Sequence, residues 1–165
     1  MYLKDRMSKA LLIALLLTLF VALKVETAFS QSACTIGVTP ISFGNYDVFS
    51  IAPTDGTGTV TVNCGRRVVR ATVTLGVSST SGTFIPRRMR RSAGSDLLNY
   101  NIYTDPARTT VFGDGTGGTS DIRPRRPPGP PANWSQTIIT YGRIPPGQDV
   151  SVGSYSDTLS VTVTP

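Results

Sequence analysis

The stretch 158-TLSVTVT-164 decides the fold, because its apolar and polar side chains alternate without interruption. Leu159, Val161 and Val163 would face one side of a strand and the hydroxyl residues between them the other, which is typical of a half-buried strand. Only Pro165 follows this stretch in the sequence. The pattern therefore raises the question of what pairs with the second edge of this strand.

The rest of the chain repeats the same kind of pattern in shorter runs. Apolar residues alternate with polar ones in runs that begin near residues 34, 60, 71, 97 and 136, and Gly- or Pro-containing turns separate these runs. After residue 30 the chain has no Lys, Glu or His, so it lacks the common helix-forming surface residues. We therefore predict an all-β domain of about seven or eight short strands, built as a sandwich or barrel.

The N-terminal residues have the organisation of an export signal. A basic start precedes an apolar run from residue 10 to residue 23, which is too short to span a bilayer comfortably. Small residues before Gln31 fit cleavage at that position. We predict a secretory signal peptide over 1–30 and one exported domain over 31–165, with an uncleaved membrane anchor as the alternative.

The two cysteines, Cys34 and Cys64, both follow the predicted signal. They would enter an oxidising compartment, where such a pair usually forms a disulfide. Closing a loop of about 30 residues would stabilise the fold by roughly 3 to 4 kcal/mol. A metal site or a reactive thiol is the weaker alternative; metal binding would need further ligands, and the chain has no His.

The composition also argues against catalysis. Most hydrolytic and transfer reactions need a base that titrates near neutral pH, usually His, or a Glu or Lys with a shifted pKa. All three residue types are absent after residue 30. The glycine-rich loop 113-GDGTGG-118 lacks the Lys and the following helix of a phosphate-binding loop, so we interpret it as a turn. We predict no enzyme activity, cofactor or metal.

Arginines account for the positive charge of the exported part. The chain has 16 basic and 10 acidic residues, and after residue 30 every basic residue is an arginine. A basic run is usually a solvated strand edge that discourages aggregation, but arginine also binds anionic groups. The candidate anion contacts are Arg87, Arg88, Arg90, Arg91, Arg123, Arg125 and Arg126. Because the chain is predicted to be exported, we expect no nucleic-acid partner.

The Pro-rich stretch 121-DIRPRRPPGPPAN-133 is predicted to lie outside the sheets. Its prolines lack a backbone N–H donor and fix the backbone angle φ. We therefore expect a long exposed loop at this point in the chain.

Several stretches, in their order along the chain, resemble the spore coat protein U domain family, which is shared with subunits of archaic chaperone-usher pili. The resemblance covers nearly the whole exported part. It rests on CTIGV (34–38), ISFGNYD (41–47), TVTVNC (59–64), residues 73–76, LLNYNIYTDP (97–106), VFGDG (111–115), YGRIPPGQ (141–148) and VGSYSDTLSVTV (152–163).

The resemblance implies an immunoglobulin-like β-sandwich whose seventh strand is missing, with its first two strands joined by a Cys34–Cys64 disulfide. A periplasmic chaperone and then another pilus subunit would supply the missing strand, with an outer-membrane usher as a further partner. The protein would pass through the periplasm to a fimbria on the cell surface and serve adhesion or biofilm formation. The residues expected to border the groove for the donated strand are Ile36, Val38, Ile41, Phe43, Leu159, Val161 and Val163.

One feature departs from the family pattern. Cleavage before Gln31 leaves three residues ahead of Cys34, which reach roughly 10 Å, whereas a donor strand needs about ten residues. The chain is therefore expected to accept a strand without donating one, as a tip subunit would. The alternative function is a surface-associated or spore-coat-type module that binds an anionic ligand through its arginine clusters.

Overall fold

The computed structural model describes residues 33–129 and 133–165, and this part of the chain folds into β-strands without a helix. The predicted signal peptide and residues 130–132 of the predicted loop lie outside the described residues. The strands are β1 (Cys34–Thr39), β2 (Thr54–Gly65), β3 (Thr72–Leu75), β4 (Arg87–Arg91), β5 (Leu97–Tyr103), β6 (Asn133–Ile144), β7 (Tyr155–Ser156) and β8 (Val161–Thr164). Within those two ranges, nothing helical has the length and apolar character needed to cross a membrane. The predicted all-β fold is confirmed.

Six strands form the larger sheet, in the order β1-β2-β6-β5-β4-β7. All of its strand pairs are antiparallel. Cys34 lies directly opposite Cys64 in the β1–β2 ladder, and the two form a disulfide. Trp134 is the partner of Cys64 on the other side and is buried, with its indole N–H donating to the carbonyl of Val68 at 2.8 Å. The predicted disulfide is thereby confirmed, and it lies against the core.

The smaller sheet pairs β3 with β8, and a third segment joins it on the outer side of β3. Ile122 exchanges two backbone hydrogen bonds with Val73, Pro124 accepts one from Ala71, and the N–H of Arg126 donates to Val69. The expectation that this Pro-rich stretch lies outside the sheets is wrong for residues 122–126. Pro124 loses only its own donor, since its carbonyl still accepts, so one proline removes a single hydrogen bond from the pairing.

The two sheets enclose one apolar core. Its most enclosed apolar side chains come from both sheets and from the loop after β5. They are Val62 of β2, Val73 of β3, Ile144 of β6 and Phe112 of the loop. Side chains along β3 alternate between buried and half-buried, as expected for a strand with one face on the core. The layers form a β-sandwich.

Strand β4 differs from the solvated edge suggested by its arginines. It lies between β5 and β7, with Arg87 and Met89 buried on its core side. Three hydrogen bonds compensate for the burial of the Arg87 guanidinium. It donates to the side chain of Asn101 at 2.8 Å and to the carbonyls of Gly76 and Phe112 at 2.9 and 2.8 Å. The alternating direction of side chains along β4 therefore places Arg87 on the core face in spite of its charge.

Candidate functional site

An open apolar groove runs between two segments of the sandwich. One side is residues 40–46, here called the leading segment, and the other is residues 158–164, the closing segment. Between them lies a cavity of about 460 Å³ that both segments line. A second cavity of about 880 Å³ continues it toward residues 47–49 and 150–154. Both cavities are lined by Ile41, Phe43, Met89 and Tyr155, so the groove is continuous.

Pro40, Gly56 and Gly58 position the leading segment. Strand β1 ends at Thr39 because Pro40 has no backbone donor for the ladder, and residues 40–46 do not form a further strand. Beyond it the chain passes so close to the sheet that a Cβ on Gly58 would lie 2.7 Å from the carbonyl oxygen of Thr39, and one on Gly56 would lie 2.8 Å from that of Ser42. Only glycine permits this approach.

The side chain of Phe43 anchors the leading segment to the core. A Cβ on Gly142 would lie 2.6 Å from the Phe43 ring, so the ring occupies the space left by that glycine. Phe43 also meets Tyr100 edge to face, with ring centroids 5.9 Å apart. At the far end of the segment, the Tyr46 hydroxyl donates to the Pro145 carbonyl at 3.1 Å and accepts from the Gln148 N–H at 2.8 Å.

The closing segment is hydrogen-bonded along one edge only. The carbonyls of Thr158 and Ser160 accept from Ser79 and Gly76, and Val161–Thr164 pair with β3. Backbone groups alternate in direction along a strand, so those of Leu159, Val161 and Val163 point to the opposite edge, toward the groove. Among the described residues no backbone hydrogen bond reaches them from that side.

The leading segment is also unpaired. Within the described ranges, no backbone-to-backbone hydrogen bond involves residues 40–46. Two edges with free donors and acceptors therefore face each other across an apolar gap. This arrangement can accept one further strand.

The floor of the groove is apolar and belongs to the core. It is formed by buried side chains from both sheets: Val60, Leu75, Met89, Tyr100, Ile102 and Phe112. The side chains at its border are less enclosed, since Val38 is 51% exposed and Leu159 and Val161 are half-buried. The groove thus leaves apolar surface uncovered where a strand would complete the core.

The carboxylate of Asp157 lies in the wall of the first cavity. Asp157 accepts hydrogen bonds from the hydroxyls of Ser79 and Tyr100, both at 2.8 Å, and from the Thr158 N–H at 2.9 Å. Partial burial raises the pKa of Asp157, but these donated hydrogen bonds outweigh it and hold the pKa below its ordinary value. Burial, together with the Asp157 carboxylate, raises the pKa of Tyr100. At neutral pH Asp157 is therefore ionised and accepts these three hydrogen bonds.

Five of the seven residues proposed from the sequence as bordering the groove line its first cavity: Val38, Ile41, Phe43, Leu159 and Val161. Ile36 and Val163 pack against the core beside the cavity without lining it. The sequence reasoning missed the floor residues and Asp157. Alternation marks the floor residues as core positions, but it carries no information about which core positions lie beneath an open gap.

The arginines proposed as one anion site lie in different places. Arg87 is fully buried, so it is removed from that set because a ligand cannot reach it. Arg91 pairs with Asp96 at 3.0 Å, and Arg88 donates to Asn99 at 3.1 Å. Arg123, Arg125 and Arg126 instead lie beside the outer edge of β3. The structure does not join the two groups into one site.

The chemistry of the groove is that of binding. In the described part of the chain, no group of three His, Cys, Asp or Glu residues is placed to hold a metal ion. Apolar side chains, a hydrogen-bonded carboxylate and unpaired backbone groups can hold a peptide strand without any covalent step.

A family model, Spore Coat Protein U domain, matches residues 19–162 of the chain. Protein U of Myxococcus xanthus is 34% identical over 146 residues, covering 80% of this chain and 77% of that protein.

Two solved structures of pilus subunits are similar to this chain. One comes from the crystal structure of the CsuC–CsuE chaperone–tip adhesion subunit pre-assembly complex of the archaic chaperone-usher Csu pili of Acinetobacter baumannii. It matches with a TM-score of 0.54 and 20% identity over 79% of this chain, which spans 38% of the solved one. The other is the minor tip subunit HdaB of the E. coli Hda pilus, with a TM-score of 0.39, 13% identity and coverage of 78% and 79%. The first likeness shows a shared immunoglobulin-like fold.

Proposed function

The chain belongs to the Spore Coat Protein U domain family, and from this we propose that it is a structural subunit of an archaic chaperone-usher fimbria, completed by a β-strand from another chain. The observation that carries the proposal is the groove between two unpaired edges, the leading and closing segments. The proposal assigns the protein no catalytic role.

A donated strand would satisfy both edges at once. Its backbone would bond to the groove-facing groups of Leu159, Val161 and Val163 on one side and to the leading segment on the other. Every second side chain would enter the first cavity, which is mainly apolar, so the donor needs apolar residues at alternate positions there. Burying about five such side chains at roughly 1.5 to 3 kcal/mol each gives a free energy on the order of 10 kcal/mol. This is enough for a long-lived noncovalent joint.

The proposed partners follow from this requirement. A periplasmic chaperone would fill the groove during export, an outer-membrane usher would receive the complex, and a neighbouring subunit would supply the final strand. The similar solved chain comes from a chaperone–tip adhesion subunit pre-assembly complex, which supports a chaperone as the first partner. The assembled protein would act in surface adhesion or biofilm formation.

A substitution in the groove tests the proposal. Val161→Asp would place a carboxylate in the cavity, where its desolvation opposes an apolar donor side chain. We expect this variant, expressed with the periplasmic chaperone of the same system, to lose co-purification with it. Thr162→Asp is the matched control, since Thr162 is the next residue of β8 and is exposed on the opposite face.

Equal recovery of the chaperone with Val161→Asp and Thr162→Asp would contradict the groove as the binding site. The tip position stays a prediction that depends on cleavage before Gln31. Mass spectrometry of the exported N-terminus would test it, because a start well upstream of Gln31 would leave enough residues for a donor strand.

A further inference from the structure

Six arginines from two distant parts of the sequence come together beside the outer edge of β3. Arg70 lies directly opposite Arg125 in an antiparallel bridge. The side chain of Arg126 donates to the carbonyl of Arg66 at 2.6 Å, and its N–H donates to Val69 at 3.0 Å. We call this set the arginine platform. Its members are Arg66, Arg67, Arg70, Arg123, Arg125 and Arg126.

The platform is exposed and carries excess positive charge. Five of its arginines are exposed and Arg126 is half-buried. Among the described residues, Asp121 is the only carboxylate within 4.0 Å of these guanidinium groups, and it pairs with Arg123 at 3.0 Å. Six positive charges against one negative charge leave a local net charge of +5.

The backbone holds these side chains in a fixed arrangement. Pro124 and Ile122 face inward, so Arg123 and Arg125 alternate with them and point to solvent. Pro124, Pro127 and Pro128 restrict the backbone further. Like charges directly opposite each other in a sheet are destabilising, and Arg70 and Arg125 are placed in this way. This repulsion does not stabilise the fold, and a bound polyanion would neutralise the two charges.

We propose that the arginine platform binds an anionic polysaccharide that carries sulfate or carboxylate groups. A guanidinium binds either group through two parallel hydrogen bonds. Neither segment contains an aromatic residue on which bases could stack, and residues 33–129 and 133–165 form no helix that could enter a DNA groove. None of the six arginines lines the groove, so this site is independent of the proposed strand acceptance.

The test compares the full chain, purified from the periplasm, with Arg70→Gln/Arg125→Gln. A sulfated glycosaminoglycan, a polyuronate and neutral dextran are the probes, with a DNA duplex for comparison, and titration calorimetry over a range of salt concentrations measures binding. We expect the variant to bind the two anionic probes at least about tenfold more weakly, with a salt slope smaller by roughly 2. Dextran should not bind. The relative affinities of sulfate- and carboxylate-bearing probes identify the preferred group.

The matched control is Arg88→Gln/Arg90→Gln, which removes the same charge from β4. It should change the affinity less than about twofold if the platform is the site. The thermal midpoint of Arg70→Gln/Arg125→Gln should not fall, since a repulsive pair is removed. Arg66→Gln/Arg67→Gln provides a second platform variant that leaves the bridge intact.

Three outcomes would overturn the inference. Unchanged binding by both platform variants would show that the platform is not the site. An equal loss in the β4 control would show that only overall charge matters. Tighter binding of a DNA duplex than of either anionic polysaccharide at the same salt concentration would contradict the class of partner.

Discussion

Gly58 shows how a single missing side chain positions one border of the groove. A Cβ there would meet the backbone where β1 passes into the leading segment, at 2.7 Å from the carbonyl oxygen of Thr39 and 3.2 Å from the backbone nitrogen of Ile41. Backbone atoms cannot rotate away as the end of a side chain can. The glycine therefore sets how closely the leading segment approaches the sheet.

Gly58→Ala should destabilise the fold by about 1 to 3 kcal/mol, as overpacking does elsewhere. Denaturant unfolding measures the change. Gly37→Ala on β1 is the control, because a Cβ at Gly37 meets nothing within 4 Å. Equal stability of the two variants would show that the leading segment is not held at this contact.

Arg87 shows a cationic side chain used as a core connector. Its three hydrogen bonds join Asn101 of β5 to the carbonyls of Gly76 and Phe112. The Phe84 ring lies 5.5 Å from its guanidinium carbon. Burial lowers the pKa of Arg87, yet an arginine remains charged at any ordinary pH. Carbonyl and amide oxygens accept hydrogen bonds from its two terminal nitrogens, whereas its Nε has no partner among the described residues.

The lowered pKa of Asp157 predicts how the free energy of unfolding changes at acidic pH. Its pKa lies below the ordinary value of 3.8 in the folded protein, so its contribution is fully present above about pH 4 and is lost as the pH falls through the folded value. Asp157→Asn should therefore be less stable than the parent chain at pH 6, and the difference should shrink toward pH 2. Urea unfolding of both chains across this range measures it. A difference that stays constant with pH would contradict the role of the charge.

At the scale of elements, the two borders of the groove depend on different restraints. Strand β8 is held by its ladder to β3, whereas β1 is an edge strand held by its ladder to β2 and by the disulfide at its first residue. The leading segment continues directly from β1. Loss of the disulfide would therefore loosen the strand from which one border extends.

Cys34→Ser should lower the free energy of unfolding by about 3 to 4 kcal/mol, the value expected for opening a loop of this length. Guanidinium unfolding under oxidising conditions measures the loss. Reduction of the parent chain should reproduce most of it. An unchanged midpoint in Cys34→Ser would show that the bond contributes little to stability.

At the scale of the whole molecule, the smaller sheet of the sandwich has one open edge. Segment 122–126 pairs with one side of β3, so the open edge is that of β8. The arginine platform lies on the side of β3 away from that edge. The proposed strand acceptance and the proposed anion binding therefore use different surfaces and would not compete.

A synthetic peptide of about ten residues with apolar side chains at alternate positions should raise the thermal midpoint of the chain. At a hundred times its dissociation constant it would add about 2.7 kcal/mol. Hydrogen exchange at Val161 and Val163, whose N–H groups face the groove, should slow at the same time. A peptide of the same composition with the alternation scrambled is the control. Protection by both peptides would contradict a strand-shaped site.

The sequence by itself determined the all-β class, the disulfide and the face of the closing segment that is apolar. These follow from alternation and composition, which act between neighbours in the chain, and from the redox compartment that an export signal predicts. The groove residues were expected from the resemblance to the family, and five of them line the first cavity.

Only the tertiary structure decided the burial of Arg87, the pairing of residues 122–126 with β3, and the meeting of Arg70 with Arg125. Each depends on contacts between segments far apart in sequence. Local chemistry favoured the opposite in the first two cases, because a charge prefers water and a proline lacks a donor. Hydrogen bonds to Asn101, Gly76 and Phe112 offset the first preference. The carbonyl of Pro124, which accepts a hydrogen bond from the Ala71 N–H, offsets the missing donor of the proline.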